Sequence, residues 1–311
     1  MRYKFKYKPY EHQLEALKRS WNKKEFAYFM DMGTGKSKVL IDNMCVLYDR
    51  GEITGALIVA PKGVYRNWEQ GELPTHIPEH VMYDTVLWNP SQTKTQLEKQ
   101  NKLYVVDDNL KIFVMNVEAF STKKGCEAAE RFLNAHPSLM VIDESTTIKN
   151  KDAKRTKSIV KIGKVAQYRR ILTGSPVTKS PMDLYTQAEF LDEWLLGHSS
   201  FFSFQYEYAI VQRRSMGAHS FNQVVGYRNL DKLNGILENF SYRVKKEDCL
   251  DLPDKVYIKR SVELTEEQKS VYNSLKTYFE QENKDAQILH PYQHAFASKV
   301  LMNHLEVFHF A

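Results

Sequence analysis

The sequence predicts an α/β fold built on a mostly parallel sheet covered by helices on both faces. Three observations carry that prediction. Short, wholly apolar runs alternate with amphipathic stretches; the runs end in glycine, proline or acidic residues; and one of those ends reads as strand, glycine turn, helix. That end lies at residues 26 to 38, FAYFMDMGTGKSK. Phe26 to Met30 suits a buried strand, Gly33 and Gly35 suit a loop, and Val39, Leu40, Met44, Val46 and Leu47 recur at helical spacing behind Lys36 and Ser37.

The remaining elements follow in order. YKPYEHQLEALKRSW near the N-terminus places Leu14, Leu17 and Trp21 on one face behind a proline, as in an amphipathic helix with Gln13 near its entry. Ala56 to Ala60 is a second apolar strand, broken at Pro61, Lys62 and Gly63, and Val64, Tyr65 and Trp68 begin a helix. Residues 81 to 88 and 111 to 115 give two more strands, separated by a polar stretch of weak helical period. Leu139 to Ile142 ends in Asp143 and Glu144; a basic helix follows, and then Tyr168 to Leu172 runs into Thr173, Gly174, Ser175 and Pro176. Residues 181 to 210 read as helical and aromatic, 213 to 226 as irregular, and 230 to 240 as a further helix. YIKRSVEL reads as a strand, and Thr265 with Gln268 forms a capping box for a helix to about Glu282. In a sheet of this kind ligands bind at the carboxyl ends of the strands, where each polar motif falls.

Composition narrows the function classes. No apolar run approaches the length of a membrane span, and the basic N-terminus lacks the apolar core of a secretory signal. Cys45, Cys126 and Cys249 are far apart, which argues against a disulfide framework or zinc ribbon and for a reducing compartment. His290 and His294 are one helical turn apart, with His304 and His309 beyond, but have no cysteine near them and read as structural. The net charge of +6 is uneven: residues 1 to 24 carry +6 and residues 145 to 180 carry +9, leaving −9 for the remainder. Concentrated positive charge fits contact with a polyanion, although solvated helix faces give the same count.

The glycine turn can cradle a polyphosphate. Glycines let backbone N–H groups converge on the oxygens, and the helix N-terminus adds partial positive charge. Lys36 would reach the outer phosphates and the Ser37 hydroxyl would bind magnesium. The full GxxxxGK[ST] pattern would place glycine at position 30, where this chain has Met30, and a plain glycine turn before a helix reads the same way. Asp143 and Glu144 supply what such a site needs as its second half, one carboxylate for the metal and one to orient water. Adjacent acids also occur as ordinary strand ends.

Taken together, GxGKS at 33–37, IVAPK at 58–62 with NW at 67–68, DESTTIKN at 143–150 and LTGSP at 172–176 resemble motifs I, Ia, II and III of superfamily 2 helicases. The Trp of NWE, the IKN after the acids, SPMDLYTQAEFL and LPDK before VELTEEQ resemble most closely the Swi/Snf-like ATPases, a branch of double-stranded DNA translocases. The resemblance covers about residues 8 to 275 and implies a RecA-like P-loop NTPase lobe with a helical insertion after motif III. It also implies ATP and Mg2+ as ligands. Gly33, Thr34, Gly35 and Lys36 would hold the phosphates, Gln13 the adenine, and Ser37 with Asp143 the magnesium, while Glu144 would position water. Pro61, Lys62, Gly63, Ser121, Thr122, Lys149 and Asn150 would lie along a DNA backbone. Thr173, Gly174 and Ser175 would couple nucleotide state to that track.

Two departures stand out. Ser145 and Thr146 occupy positions where the family usually has Ala-His, which bears on coupling between motifs II and III. After residue 275 no QxxGRxxR-like run follows, so the sequence reads as a first motor lobe, residues 1–180, with a helical insertion at 181–256 and a return strand and linker helix at 257–311, directed towards a second RecA-like lobe. The arginines expected on that lobe can supply a factor of about a thousand or more in rate, so weak turnover is expected of this chain alone. The expectation is therefore the N-terminal ATPase lobe of an ATP-dependent double-stranded DNA translocase, cytoplasmic and of bacterial or phage origin. A strand-separating DNA or RNA helicase, or a catalytically idle DNA- or partner-binding module, are the alternatives.

Overall fold

The computed structural model describes residues 3–91, 93–216, 219–249 and 263–282. It divides into two compact units, Met1–Leu252 and Pro253–Ala311.

The first unit is built on seven parallel strands: β1 (Glu25–Met30), β2 (Gly55–Ala60), β3 (Tyr83–Leu87), β4 (Leu110–Asn116), β5 (Ser138–Asp143), β6 (Tyr168–Leu172) and, after a separate hairpin of β7 (Ala209–Met216) and β8 (His219–Tyr227), β9 (Ser241–Val244). Their order across the sheet is β3-β4-β2-β5-β6-β1-β9. The six strands expected between residues 26 and 172 appear within a residue or two of their boundaries. The central strands are largely apolar because both faces are covered, so residues of both parities are buried, with Lys111 on β4 and Arg170 on β6 as buried exceptions. Ala27, Phe29, Leu57, Val59, Phe113, Met115, Met140 and Ile142 enter one core, and Phe26, Tyr28, Ile58, Val114, Leu139 and Val141 enter the other. On the first face lie the helices Lys123–Ala135, Lys154–Gly163 and Leu184–Leu191; on the second lie α1 (Glu11–Ser20) and α2 (Lys36–Asp49).

One buried cation ties the second face together. The Arg170 guanidinium on β6 is wholly buried and donates to the Asn43 side chain on α2 (3.0 Å) and to the carbonyls of Ser20 (3.0 Å), Lys23 (2.7 Å), Lys24 (2.9 Å) and Arg169 (2.8 Å). The end of α1 and the turn into β1 are thereby held against the sheet.

Two parts of the sequence reading need correction. Residues 213–216 and 219–226 are not irregular: they belong to the antiparallel strands β7 and β8. Ile210, Val211, Phe221 and Val225 are exposed there, so neither strand shows the one-sided burial that makes a strand legible. The stretch 241–244 was not read as a strand, yet β9 pairs with β1 and extends the sheet past the glycine loop. The helix expected at Val64 is present from Tyr65 to His76, but it contains a π-helical turn at Trp68–Glu72 between the α-helical pieces Tyr65–Asn67 and Leu73–His76. The aromatic run at 201–208 divides by helical period, Phe204 and Tyr208 facing the core and Phe202 and Tyr206 facing out.

In the second unit Thr265 and Gln268 exchange the two capping-box hydrogen bonds, 3.0 and 3.3 Å, at the start of helix Glu266–Glu282. The strand expected at YIKRSVEL, the LPDK segment and His290, His294, His304 and His309 lie outside the described residues. Among the described residues no helix is long and apolar enough to cross a membrane.

Candidate nucleotide site at the carboxyl edge of the sheet

The glycine loop joins β1 to α2. Gly33 and Gly35 have φ values of +88° and +84°, a region only glycine enters without strain, and Gly35 caps α2. Close packing adds a second reason at Gly35, since a Cβ there would lie 2.3 Å from Gln13 Nε2. Gln13 accepts from the Tyr10 N–H (3.0 Å) and donates to the Thr34 carbonyl (3.1 Å), while His12 Nε2 lies 2.9 Å from that same carbonyl. Thr34 also donates through its hydroxyl to the Asp31 carbonyl (2.8 Å). Two side chains of α1 thus brace the loop from outside. Gln13, expected to read an adenine, has its carbonyl and an amide N–H engaged in this brace.

Across the site, β6 lies between β1 and β5, and the three strand ends converge. Lys36 Nζ stands 3.5 Å from Glu144 Oε1, with the lysine side chain only 11% exposed. From the tip of β6 the Thr173 hydroxyl donates to Glu144 Oε2 at 3.4 Å. Glu144 itself has φ of +49°, a left-handed backbone that a non-glycine residue holds at a cost of about 1–3 kcal/mol and that turns its carboxylate towards Lys36. Ser37 occupies the first turn of α2 beside Lys36. Gly174 follows Thr173 with room for no more than ordinary contact against Asp31 and Met32 of the loop. Lys36, Ser37, Asp143, Glu144, Thr173 and Gly174 are therefore brought together although they span well over a hundred positions.

Asp143 is nearly buried, and the buried Trp68 indole N–H donates to its Oδ2 at 3.0 Å. Burial pushes the Asp143 carboxyl up to about 6; the Trp68 hydrogen bond opposes the rise, the neighbouring Glu144 charge adds to it, and the Lys36 ammonium and the Glu144 N–H pull it back. The sequence marked Trp68 only as a flank of NWE. The available signal was that a buried indole N–H needs an acceptor.

The link from the acidic strand end to the loop after β6 runs through a residue the sequence reading passed over. Ser145 Oγ donates to Gln187 Oε1 at 2.6 Å, both side chains are fully buried, and the Gln187 amide donates to the carbonyls of Pro176 (2.8 Å) and Asp183 (2.7 Å). A glutamine on the buried face of a mostly apolar helix, beside the buried Thr186, was its only trace in the sequence.

The remaining expected residues lie in the segments that follow β2, β4, β5 and β6. β2 and β4 are paired to Ala60↔Asn116, so Pro61, Lys62 and Gly63 leave the sheet next to the turn that carries Ser121 and Thr122. Thr122 caps helix Lys123–Ala135 by accepting from the Gly125 N–H at 3.1 Å. Lys62, Gly63, Ser121 and Thr122 are exposed. Lys149 is turned inward to the Thr178 hydroxyl, with Asp183 at 3.9 Å, and the Asn150 side chain accepts from the Asp152 N–H. Ser175 donates its N–H to the Thr173 hydroxyl at 3.2 Å.

Fold and site together define a P-loop α/β lobe: a glycine loop between strand and helix, a lysine at the helix start, and two acids on a strand separated from the loop strand by one other. The SNF2-related domain model matches residues 17–307, and the chain belongs to that family. The CHD3-type chromatin-remodeling factor PICKLE of Arabidopsis thaliana is 26% identical over 289 residues, covering 86% of this chain and 19% of the relative. The chromatin-remodeling ATPase INO80 of Candida albicans is 24% identical over 269 residues, 82% of this chain and 18% of the relative. The TATA-binding protein-associated factor MOT1 of Saccharomyces cerevisiae is 31% identical over 170 residues, 53% and 9% of the two chains. The Sulfolobus solfataricus SWI2/SNF2 ATPase core, solved in complex with dsDNA, has the same fold, with a TM-score of 0.59 at 21% identity over 97% of this chain and 58% of that one. The chain spans about a fifth or less of these curated relatives.

Proposed function

We propose that this chain is the N-terminal ATPase lobe of an ATP-dependent double-stranded DNA translocase. One observation carries the reading: the Lys36 ammonium, Glu144 carboxylate and Thr173 hydroxyl meet at the ends of β1, β5 and β6, beside a glycine loop that only positive φ can form. Membership of the SNF2-related domain family supports it, as do relatives named as chromatin-remodelling ATPases and a neighbour of the same fold solved on duplex DNA.

In this reading Gly33, Thr34, Gly35 and Lys36 bind the phosphates through backbone N–H groups and one ammonium, and Gln13 contributes to the adenine side. The Ser37 hydroxyl and Asp143 carboxylate are hard oxygen donors that fit magnesium and would hold it. Bound magnesium would neutralise charge on the phosphates. Glu144, held between Lys36 and Thr173, orients the attacking water and accepts its hydrogen bond. A rim of Pro61 and the exposed Lys62, Gly63, Ser121 and Thr122, with Lys149 and Asn150, takes a phosphodiester backbone without reading sequence. Thr173, Gly174 and Ser175 relay the state of the site to that rim. We assign residues 1–180 to the ATP-binding lobe, 181–256 to a protrusion and 257–311 to the linker towards a second RecA-like lobe.

The test is ATP hydrolysis with and without duplex DNA, by this chain alone and with a second RecA-like lobe joined to it. Weak activity alone, duplex stimulation of the joined form, and loss of both in Lys36→Ala and Glu144→Gln are expected. A joined form indifferent to duplex would refute translocation. Displacement of a triplex strand without unwinding of a duplex separates a translocase from a helicase.

A further inference from the structure

The β9 edge carries a cation that neither the sequence motifs nor the comparisons assign. Lys246 begins the helical turn Lys246–Cys249 just past β9, on the side of β1 opposite to β6 and β5. Its Cε and Nζ both lie 3.7 Å from where a Cβ on Gly33 would stand, so the ammonium rests against the bare backbone of the phosphate loop. The backbone beneath it is anchored: Asp31 Oδ2 accepts the Lys246 N–H at 3.0 Å, and the Asp31 N–H donates to the Val244 carbonyl at 3.0 Å. Among the described residues the Lys246 ammonium has no carboxylate within ion-pair distance, whereas its neighbour Lys245 pairs with Glu247 at 3.1 Å.

An ammonium with no carboxylate partner among the described residues, held over the bare backbone of a glycine loop at a helix N-terminus, fits the polyphosphate of a nucleotide. We propose that Lys246 is a second phosphate-binding cation of the site. It closes over the loop from the β9 side while Lys36, backed by Glu144 and Thr173, approaches from the β5–β6 side. This rests on the nucleotide reading and adds to it a contact contributed by the segment through which the chain leaves the first unit.

The experiment titrates the chain with a fluorescent ATP analogue and magnesium, and then competes that analogue with inorganic tripolyphosphate, which has no base or ribose. Lys246→Ala is expected to weaken both affinities about tenfold, the size of one charge-assisted contact at a partly exposed site, and Lys246→Arg to stay within about twofold of wild type. Lys245→Ala, a neighbouring exposed lysine with its own carboxylate, should leave both unchanged. Thermal melts of the Ala variant should match wild type, since Lys246 is exposed. Affinity of Lys246→Ala within twofold of wild type, while Lys36→Ala abolishes binding, overturns the assignment and leaves the nucleotide site intact. Absence of binding by the wild-type chain overturns the nucleotide reading, and this assignment with it.

Discussion

Replacing Arg170 with Met tests whether the second face of the sheet depends on a single buried cation. Methionine keeps the apolar stem and a similar volume but stops short of the guanidinium, so the change removes donors and charge and leaves part of that space unfilled. Five hydrogen bonds are lost, but they do not count equally. The Ser20 carbonyl also accepts from the Lys23 N–H at 3.0 Å and the Lys24 carbonyl from the Arg169 N–H at 2.8 Å, so both keep a partner. Arg169 lies within β6, whose ladder continues. The Lys23 carbonyl and the Asn43 side-chain oxygen have only Arg170 as protein donor among the described residues. Orphaning the buried Asn43 oxygen costs about 1–3 kcal/mol and losing the part-buried bond to the carbonyl of exposed Lys23 about 0.5–1.5 kcal/mol, which puts the loss at about 1.5–4.5 kcal/mol. Arg170→Lys keeps the charge but presents three donors in place of a five-donor fork, and is expected to lose about half as much. Urea unfolding followed by tryptophan fluorescence and circular dichroism measures both. The site should feel the change as well, because α1 carries Gln13 and His12 against the Thr34 carbonyl, so nucleotide affinity falls with stability. A loss below about 1 kcal/mol for the Met variant would refute this account of the clamp.

Other outcomes follow from the same contacts. Because the folded-state pKa of Asp143, about 6, lies above its ordinary value of 3.8, stability owed to this group is fully present below 3.8 and is lost as pH rises through about 6; removing the indole donor in Trp68→Phe should move the carboxyl 13C titration midpoint of the metal-free chain above that of wild type. Gly35→Ala forces a positive φ on alanine and pushes Gln13 off its contact, at a cost of about 1–3 kcal/mol, and Gln13→Ala in the same chain relieves the clash but not the strain; melting temperature and nucleotide affinity should both show incomplete recovery. Ser145→Ala leaves the Gln187 oxygen without a donor and should cost about 1–2 kcal/mol, while the double change with Gln187→Leu should cost less than the sum of the singles, a coupling read from denaturant midpoints.

The central strands were legible because burial on both faces leaves few polar positions in them, Lys111 and Arg170 being buried exceptions. The glycine loop and the acidic pair were legible because their residue types stand at the ends of such runs. β9 was not: four residues between a helix and a charged turn carry too little pattern, and its place is decided by the open edge of β1. The exposed hairpin lacked a buried face to impose alternation. Chain order likewise could not show that β6 would lie between β1 and β5, since strand order is set by how helices cover two faces and not by local preference. That choice brings Thr173 to Glu144 and Gln187 to Ser145, while the pairing of β2 with β5 brings Trp68 to Asp143. The amino-acid sequence by itself determined the α/β class, the apolar strands and the residues able to hold a polyphosphate, because those depend on periodicity and residue type. Only the tertiary structure decided which hydrogen-bond partners hold those residues, that Gln13 braces the loop, and that Lys246 stands over Gly33. Such partners are chosen by distance in the folded chain, across separations on which local sequence exerts no constraint.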